Sequence, residues 1–101
     1  MKYKVKYLDT VRHDREAIKK YMSQYSSTAA KRLFERVKAK VERVKENPHM
    51  YEVYWRRPQF RRIVVGDYVV FYRIVESENV VEVHHILHGM MDIEQRLDAY
   101  E

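Results

Sequence analysis

The sequence predicts an α+β domain in the order β-α-α-β-β-β, a small antiparallel sheet with two N-terminal helices packed on it. Three observations predict it. Residues 2–8, KYKVKYL, alternate strictly between apolar or aromatic and lysine side chains, the period of a half-buried strand. Residues 30–44 carry one apolar stripe at helical spacing. Residues 60–87 hold three apolar, β-branched runs separated by short polar turns, the pattern of an antiparallel meander.

In the first run Tyr3, Val5 and Tyr7 face one way and Lys2, Lys4 and Lys6 the other. Asp9 or Thr10 is expected to cap the helix that follows, with Asp14 and Glu16 near its first turns. Val11, Ile18, Tyr21, Met22 and Tyr25 give this helix a patchy stripe to about Gln24, where Ser26, Ser27 and Thr28 interrupt it. Ala30, Leu33, Phe34, Val37, Val41 and Val44 form the stripe of the second helix, which Asn47-Pro48 ends near Glu46. Residues 49–59 read as a loop or short edge strand closed by Pro58. The strands follow as Phe60–Val65, Tyr68–Val75 and Val80–Leu87, with Gly66-Asp67 and Glu76–Asn79 as turns. His88-Gly89 closes the meander, and Ile93–Tyr100 forms a short terminal helix. No repeat or linker divides the chain, so residues 1–101 read as one domain.

Composition narrows the function classes. The chain has 101 residues, 46% hydrophobic and 13% aromatic, too apolar for a disordered tract. No apolar run approaches the roughly 20 residues of a membrane span, and the early lysines leave no apolar signal stretch. Zero cysteines exclude disulfides, Cys-ligated zinc and a thiol nucleophile. The expectation is a cytoplasmic protein without membrane partners. The formal net charge is +5, unevenly spread: residues 1–75 carry +11 and residues 76–101 carry −6. A basic body that extends into the strands through Arg56, Arg57, Arg61, Arg62 and Arg73 suits phosphates or an acidic partner.

The candidate chemistry rests on Arg, His and Tyr. His84 and His88 share a face on a regular strand but stand about 13 Å apart, too far for one metal ion. The sequence therefore predicts no metal and no cofactor. No serine sits in a Gly-flanked elbow, and two glycines cannot build a phosphate loop. Metal-free RNA cleavage remains open to such residues. A base takes the 2′-hydroxyl proton, an arginine steadies the phosphate, and an acid protonates the leaving oxygen. Arg gives bidentate phosphate contact, and Tyr and His stack unpaired bases. The alternative is that the histidines satisfy backbone groups and the Tyr and Arg residues are strand residues with exposed tips.

Several segments together resemble the RelE/ParE superfamily of bacterial type II toxin–antitoxin toxins. They are the N-terminal strand with its charged helix and the long second helix ending at Glu46-Asn47-Pro48. The run from Arg61-Arg62-Ile63-Val64-Val65-Gly66-Asp67 to Tyr68-Val69-Val70-Phe71-Tyr72 is similar to the family's Arg, apolar run and Gly-x-Tyr. Ile86-Leu87-His88-Gly89-Met90-Met91-Asp92-Ile93 is similar to its apolar-apolar-His-Gly-Arg-Arg-Asp ending, with Met90 and Met91 in place of the arginine pair.

The resemblance implies the toxin of a plasmid-stabilisation module, neutralised by a cognate antitoxin. RelE-type members cleave mRNA on the ribosome; ParE-type members inhibit DNA gyrase without enzymatic chemistry. The expectation drawn from it is an mRNA interferase. A gyrase inhibitor, or a toxin fold that has lost activity, is the alternative. Arg61 matches the family's arginine and His88 its histidine, while Arg73 and His85 join them as catalytic candidates by position and chemistry. Arg56, Arg57, Arg62, Tyr68 and Tyr72 are the candidates for nucleic-acid or anion binding.

Overall fold

The computed structural model describes residues 3–91 and 93–98. Its elements are β1 (Lys4–Tyr7), α1 (Asp9–Met22), α2 (Ala29–Val44), β2 (Arg61–Val65), β3 (Tyr68–Val75), a 3₁₀ turn (Glu76–Glu78), β4 (Val80–His88) and α3 (Ile93–Asp98). This is the predicted β-α-α-β-β-β order with a terminal helix. The last two residues assigned to that helix, Ala99 and Tyr100, and Asp92 of the terminal motif lie outside the described residues.

The four strands lie in the order β1-β4-β3-β2. Strands β2, β3 and β4 form the antiparallel meander, while β1 pairs with β4 in parallel, Lys4 opposite Val80 and Tyr7 opposite Val83. The sheet is therefore mixed rather than wholly antiparallel. Alternation in a sequence fixes which side chains share a face; it carries no information on the direction of the neighbouring strand. The helical hairpin returns the chain to the sheet, so β1 meets a strand far away in sequence.

The expected caps differ too. Leu8 occupies the N-cap of α1 and makes no side-chain cap bond. The Thr10 hydroxyl donates instead to the carbonyl of His84. Tertiary pairing has taken the group that local chemistry assigned to the helix end. The hairpin turn is as read: Gly66 stands at φ +59°, in the left-handed region, which a residue without Cβ adopts freely.

The α2 stripe is realised as Ala30, Leu33, Val37, Val41 and Val44, all buried. Together with Val11 and Ile18 of α1 they cover one sheet face, made of Ile63, Val65, Tyr68, Val70, Tyr72, Val81, Val83 and Ile86. The opposite face carries a smaller cluster: Tyr54, Phe60, Phe71, Leu87 and Leu97. Loop 51–60 and α3 supply its cover. That loop meets β2 in one β-bridge, Val53 to Arg61, and through contacts of Arg61 and Arg62 with Tyr51 and Glu52. No helix among the described residues is long and apolar enough to cross a membrane.

One irregularity positions the site. Phe71 pairs with His85 but Tyr72 pairs with Val83, so His84 is an extra residue in β4, a β-bulge. Strand β1 ends opposite Val83, and α1 takes over along the same edge. The Asp14 carboxylate accepts the Ile86 N–H at 3.0 Å and the His85 Nδ1–H at 2.8 Å. Thr10 and Asp14, one helical turn apart, thus satisfy the backbone that a longer β1 would have paired.

Candidate functional site

The sheet separates the sequence-predicted residues into two groups. On the helix-covered side, the buried Tyr72 hydroxyl donates to the Pro48 carbonyl at 2.6 Å. Burial pushes this phenol up to about 12, with Arg61 pulling it the other way. Arg61, opposite Tyr72 in the ladder, donates to the Tyr51 carbonyl at 2.6 Å. Both side chains tie down the loop after α2. At the edge of β4 beside α1, His85, opposite Phe71 in the ladder, is 1% exposed and engaged by Asp14. Tyr68 and His88 meet edge to face, ring centres 5.1 Å apart, and His88 Nδ1 accepts the Met90 N–H at 3.1 Å. His88 also walls an apolar cleft of about 330 Å³ with Tyr21, Tyr68, Met90 and Met91.

The open face of the sheet gathers the others. Glu82 Oε1 lies 3.3 Å from an Arg73 guanidinium nitrogen and 3.2 Å from His84 Nε2. The Phe60 ring meets the His84 imidazole edge to face at 5.0 Å. Burial lowers the His84 pKa from its ordinary value near 6.5, although Glu82 pulls it upward. Arg62 binds Glu52 at 2.8 Å and lies over the Tyr54 ring at 5.7 Å. Arg56 and Arg57 approach Glu94 of α3 at 3.0 and 3.9 Å.

The four catalytic candidates are therefore not brought together. Arg61 and Arg73 project from opposite faces of the sheet. Arg61 and His88 pair with Tyr72 and Tyr68, about 13 Å apart along β3. The group that does converge is Arg73, Glu82 and His84, of which only Arg73 was predicted. A regular strand puts His84 and His88 on one face, and the bulge separates them. The signal in the sequence is the density of histidines at 84, 85 and 88; nothing in residues 80–88 announces the extra residue. Among the described residues, no three His, Asp or Glu side chains are grouped to hold a metal ion.

With this geometry the chain can bind a phosphate and move a proton without a metal. Arg73, its guanidinium partly exposed, can contact an anion. Glu82 accepts the Nε2–H of His84, leaving the Nδ1 lone pair as a base. Burial keeps that imidazole neutral near pH 7.

Solved structures share this fold. A double arginine-to-alanine mutant of the Escherichia coli toxin RelE in the free state superposes with a TM-score of 0.70 at 16% identity, over 100% of both chains. A chain of the Mycobacterium tuberculosis RelBE2 toxin–antitoxin complex gives 0.61 at 18% identity, over 87% of this chain and 99% of that one. No curated protein matches the sequence. The α+β architecture is thus that of RelE-type toxins. The family model of the ParE toxin of the type II toxin–antitoxin system parDE matches residues 5–93, and the chain belongs to that RelE/ParE toxin family.

Proposed function

We propose that this toxin is a metal-independent endoribonuclease of the RelE type, held inactive by a cognate antitoxin. The observation that carries the reading is the Arg73–Glu82–His84 group on the open sheet face. In this reading Arg73 binds the scissile phosphate. His84 Nδ1 takes the proton of the adjacent 2′-hydroxyl, and Glu82 stabilises the imidazolium that forms. The 2′-oxygen bonds to phosphorus and the bond to the 5′-oxygen breaks. The products are a 2′,3′-cyclic phosphate and a 5′-hydroxyl whose proton comes from solvent. A target on the ribosome makes the cytoplasm the site of action. The antitoxin is supported by the family and by the complex in which the M. tuberculosis relative was solved.

Purified protein incubated with ribosome-bound mRNA in magnesium buffer, and with free RNA in EDTA, tests the reading. Cleavage that falls about 100-fold or more in His84→Ala supports it. RNA that stays intact with the wild-type chain, free and ribosome-bound, ends it. Inhibition of DNA gyrase is the second reading. The ParE description of the matching family favours it, as do the Arg62–Glu52 and Arg73–Glu82 pairs, which neutralise much of the face. Lost supercoiling at micromolar toxin, with RNA untouched, selects that reading instead.

A further inference from the structure

We infer that Lys6 is a further catalytic residue of this toxin, an inference that rests on the ribonuclease reading: its ammonium group, across Glu82 from Arg73, binds the phosphate oxygens as charge builds on them. The register places it. Lys6 of β1 stands opposite Glu82 of β4, and Glu82 stands opposite Arg73 of β3. The three residues form one row across neighbouring strands, each strand about 4.8 Å from the next. The burial of β1 gives the direction of the side chain. Val5 packs against the helix-side core, and Tyr7 lines a cleft with Phe34 and Val37 of α2. Lys6 lies between them in the strand, so its side chain leaves by the other face, the open one that carries Arg73 and Glu82. It is exposed there.

The chemistry asks for a cation at that place. A phosphate diester enters with one negative charge, and attack by the 2′-oxygen brings a second onto the phosphorane. His84 becomes positive when it takes the 2′ proton, and so balances the second charge. The first has no counterpart, because Glu82 lies 3.3 Å from the Arg73 guanidinium and cancels it. Arg62 on the same face is engaged by Glu52 at 2.8 Å. Lys6 forms no ion pair among the described residues, so binding a phosphate breaks no contact of the fold. A cation in place before the reaction stabilises the phosphorane more than the diester, since the attraction grows with the charge. A lysine on a border strand also deters pairing between copies of the chain. That role needs a charge of either sign and no particular place in the row, and this separates the two by experiment.

The test is single-turnover cleavage of the RNA that the wild-type protein cuts, with binding measured on the same RNA 2′-O-methylated at the cut. Lys6→Gln should lose about 10- to 100-fold in the cleavage rate, less than a donor in a dry site supplies, because Lys6 is exposed. Its affinity for the methylated RNA should change far less. Lys6→Arg should restore most of the rate. Lys6→Glu, which keeps a charge on the border strand, should lose more than Lys6→Gln. Lys4→Gln removes the same charge from the same face one step along β1, opposite Val80, and should leave the rate near that of the wild type. Cleavage by Lys6→Gln at the wild-type rate overturns the inference. So does an equal loss in Lys4→Gln, the mark of general attraction to a basic edge. A loss confined to affinity also overturns it, being the mark of uniform binding. The two readings fail separately. RNA cut at full rate by Lys6→Gln protein ends the role of Lys6 alone. RNA left intact by the wild-type chain ends the ribonuclease reading, and the role of Lys6 with it.

Discussion

The two faces of the sheet use the same residue types for opposite ends. Under the helices, Arg61 and Tyr72 direct their polar atoms at loop carbonyls of this chain, and at the α1 edge of the sheet His85 directs its own at the Asp14 carboxylate. On the open face, Arg73, Glu82 and His84 direct theirs at one another, partly exposed. Residue type therefore does not separate structural groups from the proposed functional ones. What separates them is cover. A polar side chain beneath a helix must find a partner during folding or remain unsatisfied at a cost of about 1–3 kcal/mol. Arg73, with nearly half of its side chain exposed, can trade its partner for a ligand, since exposed ion pairs contribute only about 0–1 kcal/mol.

Substitutions can break this comparison, beginning where the effect is greatest. Ile63→Ala, at a position 0% exposed under the helices, should lose about 2–5 kcal/mol in urea denaturation. Leu97→Ala on the other side should fall at the low end of that range. Its helix, Ile93–Asp98, is one short element that can detach, so the change should appear as faster amide exchange in α3. Equal global losses would show that the two clusters form one cooperative core. Asp14→Ala should lose about 3 kcal/mol, because one carboxylate serves both the Ile86 N–H and His85. Tyr72→Phe should lose about 1–2 kcal/mol by leaving the Pro48 carbonyl without its donor. It should leave RNA cleavage unchanged. Arg73→Ala should reverse that pattern, abolishing cleavage while stability moves by less than about 0.5 kcal/mol.

A pH titration sharpens the same contrast with the smallest effect. Burial depresses the His84 pKa below its ordinary value near 6.5. The unfolded chain therefore binds this proton more readily than the folded one. Stability should decline as pH drops below about 6.5 towards the folded value, and be insensitive to this group above it. In His84→Phe that part of the decline should vanish, as read by thermal unfolding across the range. An identical pH profile in the variant would mean that the imidazole is protonated equally in both states.

The helices and the meander were legible in the sequence because their periods are imposed by burial on one side. The stripe from Ala30 to Val44 and the turn at Gly66-Asp67 are local facts, readable in a window of a few residues. The site was half legible. Arg73 was identified by position and chemistry. His84 was weighed only as a metal partner of His88, because the alternation rule holds only for an unbroken strand, and the bulge that breaks it is set from outside β4, where Thr10 and Asp14 take up the backbone of residues 84–86. The parallel pairing of β1 was hidden for the same reason. A contact between residues 4 and 80 leaves no trace in either segment alone. Arg61 and His85 read as site residues because their chemistry suits a site; the cover that turns them inward is a property of the whole fold.

The pairing of β1 with β4 also sets an order of events during synthesis. The strand that leaves the ribosome early docks on the strand that leaves it late, so one border of the sheet stays vacant until almost all the described chain has been translated. Long-range pairing of this kind is slow to form. The helical hairpin can collapse on itself, yet the bulge carrying His84 has no clamp until the nascent β4 reaches α1. A toxin assembled in this sequence has no complete Arg73–Glu82–His84 group until its last strand is in place.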